Sequence, residues 1–265
     1  ATPTLIEESR PGRRAVSLPP AGVPSRPLHE LLPAGLGRET PAELPEVGER
    51  QLVRHFTRLS QKNFSIDGQF YPLGSCTMKY NPKINEVLAT LEKIGEVHPY
   101  QDESTVQGAL EIMYKLERWL AEITGMYRVS LQPAAGANGE FTGIQVVRAY
   151  HKQRGELEKR TDMIIPDSAH GSNPASAAMG GFNVVTIPSN EKGCMNVEAL
   201  RQATSTKTAG VMLTNPNTLG LFEEEIKDIV KIIHDAGGLA YYDGANLNAI
   251  IGRIRPGDTG SHIAP

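Results

Sequence analysis

Apolar residues fall on two different rhythms along this 265-residue chain. Up to about residue 125 they recur at helical spacing, and beyond it short apolar runs alternate with helical stretches. The first rhythm predicts a helix over Pro45–Leu59, with Val47, Leu52, Val53, Phe56 and Leu59 available for one face. A second follows over Pro82–Ile94, opened by a proline that suits a first turn. A third, over Gln107–Thr124, sets Ala109, Ile112, Met113, Leu116, Trp119, Leu120 and Ile123 at helical intervals, with Gly125 where a C-terminal cap belongs. The second rhythm predicts strands at Arg128–Leu131, Met163–Pro166, Asn183–Pro188, Gly210–Thr214 and Leu239–Asp243. Helices between them start near Asn138, Pro174, Asn196 and Glu223. The last of these opens on three glutamates, suited to the positive end of a helix dipole, buries Ile226, Ile229, Val230 and Ile233, and stops at Gly237-Gly238. Strand–helix alternation implies the α/β class, a mostly parallel sheet with helices on both faces.

The patterning also divides the chain. Residues 1–45 carry nine of its 19 prolines and predict an extended arm that needs another surface to order it, or else a disordered tail. Residues 46–125 form a helical segment with polar loops, and 126–265 the α/β part. We find no internal repeat.

Composition narrows the function classes. With 39% hydrophobic and 22% charged residues the chain is ordinary for a soluble globular protein. A formal net charge of −3 gives no overall pull toward nucleic acid or anionic membrane, so neither is expected as a partner. No apolar run approaches the roughly 18 residues of a membrane span, and the N-terminus lacks a signal-peptide core. The two cysteines, Cys76 and Cys194, suggest no disulfide framework and point to a reducing cytoplasm. Because the chain begins with Ala, it is expected to be processed or cut from a longer one.

Candidate chemistry collects where strands end, the ligand edge of an open α/β sheet. The run Leu239–Asn248 delivers Asp243 to that edge, followed by Gly244 and Ala245. An acid with a small apolar floor beside it suits a flat aromatic cation such as pyridoxal phosphate, though an Asp after a strand is also a common helix cap. The loop Gln132–Glu140 offers small residues and a helix start, fit for a phosphate or simply a tight turn. In Pro166–Pro174, His170 could stack on a cofactor ring or be structural. In Leu213–Gly220, Asn215 and Thr218 could hydrogen-bond a ligand or form an Asn-Pro turn. Two polar loops stand apart, Phe70–Pro82 with Cys76, and His98–Thr105. No G-x-G-x-x-G follows a strand with an acid about 20 residues on, no Cys or His spacing fits a metal site, and the Gly-x-Ser-x-Gly elbow is missing.

Taken together, the blocks Phe70–Pro82, His98–Leu110, Gln132–Glu140, Asp167–Ala178, Thr214–Phe222 and Tyr241–Asn248 resemble the second subunit of two-subunit glycine decarboxylase, the P-protein of the glycine cleavage system. The resemblance implies the large domain of a fold-type I pyridoxal phosphate enzyme, incomplete at its C-terminus. It further implies glycine as substrate, glycine decarboxylase subunit 1 as a partner of related fold in a heterotetramer, and the lipoylated H-protein as acceptor of the aminomethyl group. By motif, His170 would stack on one face of the cofactor ring and Ala245 lie on the other, with Asp243 on the ring nitrogen. Gly136 and Ala137 would sit near the phosphate, Thr218 and Asn246 would make further contacts, and Ser75, Cys76, Thr77 and Lys79 would line the substrate end. The family continues past Arg255–Asp258 into a strand and a His-Lys pair whose lysine bonds to the cofactor. Here the chain reads Thr259–Pro265 and stops, so a truncated subunit is expected. Lys207, Lys227 and Lys231 precede Asp243 and do not substitute. Two other readings stay open, a remnant that binds without turnover and another fold-type I lyase or transferase.

Overall fold

The computed structural model describes residues 2–40, 42–69 and 80–264. The expected substrate loop, with Ser75, Cys76, Thr77 and Lys79, lies outside the described residues. The chain divides into two compact units, residues 1–73 with 78–80, and 74–77 with 81–265.

In the first unit two one-turn helices, α1 (Leu5–Glu8) and α2 (Leu28–Leu31), interrupt the proline-rich arm, and α3 (Glu49–Ser60) follows it. Thr4 closes the start of α1 by a reciprocal capping box with Glu7. Residues 9–13 of the arm bond to residues 46–51. The Arg10 amide donates to the Glu46 carbonyl at 2.9 Å, the Glu46 amide to Ser9 Oγ at 2.8 Å, and Arg13 Nη1 to Gln51 Oε1 at 2.8 Å. Helix α3 starts four residues later than the apolar pattern predicts. Its Val53 and Phe56 stay exposed, while Val47 before it and His55 are buried.

The second unit begins with α4 (Lys83–Ala89), α5 (Glu92–Gly95) and α6 (Gln107–Thr124). The single helix expected over Pro82–Ile94 is therefore two. Thr90 turns its hydroxyl back onto the Glu86 carbonyl at 2.8 Å, competing with the helix ladder, and Leu91 is extended. Helix α6 matches its predicted span, and Gly125 caps it at φ +70°, a left-handed conformation that favours glycine.

The α/β part then runs α7 (Gly136–Gln153), β1 (Asp162–Pro166), α8 (Ser172–Met179), β2 (Asn183–Ile187), α9 (Val197–Ala203), β3 (Thr208–Thr214), α10 (Ile226–Asp235) and β4 (Leu239–Asp243). The four strands order as β2-β1-β3-β4, and every pairing is parallel. Alternate strand residues feed two cores. Met163, Ile165, Met212, Leu239 and Tyr241 pack with Ile144 and Val147 of α7 and Ala177 of α8. Ile164, Val211, Leu213 and Ala240 pack with Leu200 of α9 and Ile226, Ile229 and Ile233 of α10. Helices thus cover both faces, as the continuous apolar runs of β3 and β4 require.

Two expectations are corrected. Arg128–Leu131 is not a strand, because no described strand pairs with it. The three glutamates do not open α10, whose first residue is Ile226. Glu223 instead turns inward, only 2% exposed, and its carboxylate accepts from the Met195 amide at 3.1 Å. Burial pushes its pKa above the ordinary carboxylate value. Beyond β4 the chain returns along the sheet, where Ile263 pairs parallel with Tyr241 and accepts from the Tyr242 amide at 2.8 Å.

Candidate active site

The strand order places a topological switch at β1, since β2 lies on one side of it and β3 on the other. The crevice beyond the carboxyl ends of such strands is the usual ligand site. Four segments meet there, the start of α7 and the loops after β1, β3 and β4.

Asp243, the last residue of β4, is 6% exposed. Register sets it beside Thr214, the last residue of β3, whose hydroxyl donates to Oδ2 at 3.0 Å. Asn173, in the first turn of α8, donates to the same oxygen from Nδ2 at 3.1 Å. The Ala245 amide donates to Oδ1 at 3.0 Å. These three donors are neutral, and none of the salt bridges among the described residues involves Asp243. Hydrogen bonds make a buried carboxylate tolerable, but among the described residues it has no counter-ion. Burial, and secondarily this charge, raise the hydroxyls of Tyr241 and Tyr242 above the ordinary tyrosine range.

His170 lies in the exposed loop after β1. Its Nδ1 is 2.6 Å from Ser172 Oγ, and Ser172 Oγ donates to Glu140 Oε1 at 2.8 Å. Helix α7 begins at Gly136, and no side chain caps its first turn. Its leading amides, at Gly136 and Ala137, therefore form an open positive helix end. A Cβ added at Gly136 would meet nothing within 4 Å.

The remaining expected contacts hold the loops together. Thr218 donates its hydroxyl to the Ser168 carbonyl, joining the loop after β3 to the loop after β1. Asn246 Nδ2 donates to the Pro216 carbonyl at 3.0 Å. Ala245 lies exposed next to Asp243. Of the two readings open for Asn215, its bonds are those of the Asn-Pro turn that supports the loop. Asn215 is fully buried, its Oδ1 accepts from the Glu223 amide at 3.0 Å, and its carbonyl accepts from the Tyr242 hydroxyl. A separate cavity lined by Phe222, Lys227, Arg253 and Asp258, among others, includes none of the expected site residues.

Glu140, Ser172, Asn173 and Thr214 were not singled out by the sequence. All four lie inside the quoted blocks, but their partners are distant in the chain. The signal that would have found Thr214 is its place at the end of a strand adjacent to β4. Among the described residues no cluster could hold a metal ion, and no helix is long and apolar enough to cross a membrane.

Residues 26–264 match the family model described as Glycine cleavage system P-protein. The chain is 61% identical over 264 residues to the "Probable glycine dehydrogenase (decarboxylating) subunit 2" of Thermococcus kodakarensis, covering 98% of this chain and 51% of that protein. It is 57% identical over 259 residues to the protein of the same description from Caldanaerobacter subterraneus, covering 98% and 53%. The chain thus spans about half the length of the curated relatives it matches. Among solved structures it is similar to an inhibitor-bound glycine decarboxylase (P-protein) of the glycine cleavage system, at TM-score 0.70 and 22% identity, covering 89% of this chain and 52% of that one. A Burkholderia pseudomallei sphingosine-1-phosphate lyase superposes at TM-score 0.53 and 19% identity, covering 80% and 50%. The shared fold is the expected α/β one, a parallel sheet with helices on both faces.

Proposed function

The chain belongs to the glycine cleavage system P-protein family, and on that premise we propose that it provides the cofactor-holding part of subunit 2 of a glycine decarboxylase. In this reading glycine loses its carboxylate as carbon dioxide, and its aminomethyl group passes to the lipoyl group of the H-protein. Glycine decarboxylase subunit 1 would be the partner chain, in a heterotetramer located in the cytoplasm.

The observation that carries the reading is the buried Asp243 carboxylate, held by three neutral donors and left without a cation among the described residues. A protonated pyridine ring would supply that cation, so the residues fit pyridoxal phosphate. When bound, the cofactor supplies an electron sink for the departing carboxylate. Asp243 would hold the proton on the ring nitrogen. The open start of α7 at Gly136 and Ala137 would take the phosphate. His170 and Ala245 would flank the ring on its two faces and exclude water from it. Thr218 and Asn246 would stand at its edge, where their bonds to Ser168 and Pro216 keep three loops in register. Ser75, Cys76, Thr77 and Lys79 would line the glycine end.

The test is a titration of the chain with pyridoxal phosphate, followed by the cofactor's absorbance. Asp243→Asn is expected to weaken binding about 10- to 100-fold, the range for losing a charge-assisted hydrogen bond. Equal affinity in the variant would sink the assignment of Asp243. Glycine-dependent exchange of bicarbonate carbon, assayed with the partner subunit and a lipoyl carrier, separates this activity from that of another fold-type I lyase, which would give none.

A further inference from the structure

We propose that Glu140 is a positioning residue that acts through Ser172 to fix the tautomer and ring orientation of His170. The functional consequence rests on the reading above, in which His170 lies over the cofactor. The chain of contacts itself stands on geometry.

Glu140 sits one turn into α7 and is 9% exposed. Like Asp243, it joins none of the salt bridges among the described residues. Its two oxygens instead accept from two serines of α8, Ser172 Oγ at 2.8 Å and Ser176 Oγ at 3.2 Å. Those serines are four residues apart, so they share one face of α8. One carboxylate therefore clamps the start of α8, and with it the loop that carries His170.

The proton count then decides the ring. A serine hydroxyl has one hydrogen to give. With that hydrogen directed to Glu140, Ser172 Oγ can only accept from His170 Nδ1, 2.6 Å away. Nδ1 must then carry the hydrogen, and in the neutral ring Nε2 is bare. One contact favours the opposite form. The Ser172 backbone amide lies 3.3 Å from Nδ1 and would need a lone pair there. It is the longer bond between neutral groups, whereas the serine hydrogen goes to an ionised carboxylate, and charge-assisted bonds are about twice as strong. The Nδ1–H form prevails while Glu140 is charged and in place. In the neutral ring this form leaves Nε2 as a free edge that accepts hydrogen bonds. Toward glycine that edge would receive an ammonium hydrogen instead of opposing it with another N–H.

The experiment is nitrogen-15 NMR of the histidine rings in the cofactor-free chain, at a pH where His170 is neutral, with its signals assigned by their loss in His170→Ala. In the parent chain Nδ1 should read as protonated and Nε2 as unprotonated. In Ser172→Ala only the backbone amide remains near Nδ1, so the tautomer should invert. In Glu140→Gln the side-chain amide can donate to Ser172 Oγ and release the serine hydrogen toward Nδ1, which should also invert it. Glu140→Asp should retain a measurable share of the Nδ1–H form. An Nε2–H ring in the parent overturns the proposal without recourse to any variant. So does an unchanged tautomer in a folded Ser172→Ala. Pyridoxal phosphate binding separates the two layers. His170→Ala should lower affinity at least threefold, and Glu140→Gln should lower it by a smaller factor. Unchanged affinity in His170→Ala would remove His170 from the cofactor while the NMR result still judges the relay.

Discussion

The sheet and helix α6 are both announced by regular apolar spacing, and they meet opposite fates. In the sheet, Met163, Ile164, Val211, Met212 and Tyr241 are at most 1% exposed. In α6, Ile112 is 60% exposed and Trp119 62%. The difference lies in what each face finds. Strands β1, β3 and β4 sit between two helical layers built from the same stretch of chain, so both alternating sets of their side chains are covered, and only the edge strand β2 leaves residues such as Val184 exposed. The face of α6 finds no equivalent cover among the described residues. Periodicity reports that a face is apolar, and it is silent on the surface that will cover it.

The comparison can be broken by mutation, and its largest test is in the sheet. Ile164→Ala should lower unfolding free energy by about 2–5 kcal/mol, the range for truncating a buried aliphatic residue, measured by chemical denaturation. A loss under half a kcal/mol would mean that the two-sided core is not formed in solution. Next comes Gly210→Ala. A Cβ there would lie 2.5 Å from the Leu239 carbonyl oxygen, a backbone atom of the adjacent strand. The expected cost is roughly 1–3 kcal/mol in the same measurement, and a neutral outcome would show that β3 and β4 are less tightly paired than described.

Acid should find the sheet through its buried histidine. His151 is fully buried, with its Nε2 2.8 Å from the Ala209 carbonyl. Burial chiefly lowers its pKa from the ordinary 6.5. His262 is lowered too, by burial and by the neighbouring His234. A folded-state pKa below the unfolded one means that the unfolded chain takes up protons first. The contribution of His151 is therefore fully present above about pH 6.5 and declines as pH falls toward the folded value, by up to about 1.4 kcal/mol per pH unit, and the more exposed His262 adds less. Denaturation midpoints across pH 5–8 should show this slope, and His151→Gln should flatten it. A variant with an undiminished slope would move the cause elsewhere. The smallest effect belongs to α6. Ile112→Ser should shift the stability of this chain by no more than about 0.5 kcal/mol. A loss several times larger would show that the helix face is covered in solution, and the contrast with the sheet would fail.

Much of the frame is legible in the sequence. The span of α6 follows from its helical spacing, those of β1, β2, β3 and β4 from short apolar runs, and parallel pairing from the helices between the strands. Arg128–Leu131 was misread because an extended run becomes a strand only when a neighbour pairs with it. The glutamates before α10 were misread because a favourable charge at a helix start is a weak preference. A buried site for Glu223, accepting from Met195 and linked to Asn217, outweighs it. In the candidate site, Asp243 and His170 were visible as polar residues at strand ends. Asn215 looked equally eligible, and its inward turn depends on Tyr242 and Glu223, both remote in sequence.

What the sequence determined alone is therefore local and compositional: which stretches are strands or helices, that the sheet is parallel, which polar residues reach its ligand edge, and to which family those blocks bear resemblance. Only the tertiary structure decided who holds those residues. Strand register brings Thr214 to Asp243, helix α8 adds Asn173, and the packing of α7 on α8 sets Glu140 behind Ser172 and His170. Hydrogen-bond partners across 29, 70 or 32 residues of chain are selected by packing and register. Neither is encoded in the spacing of any one segment.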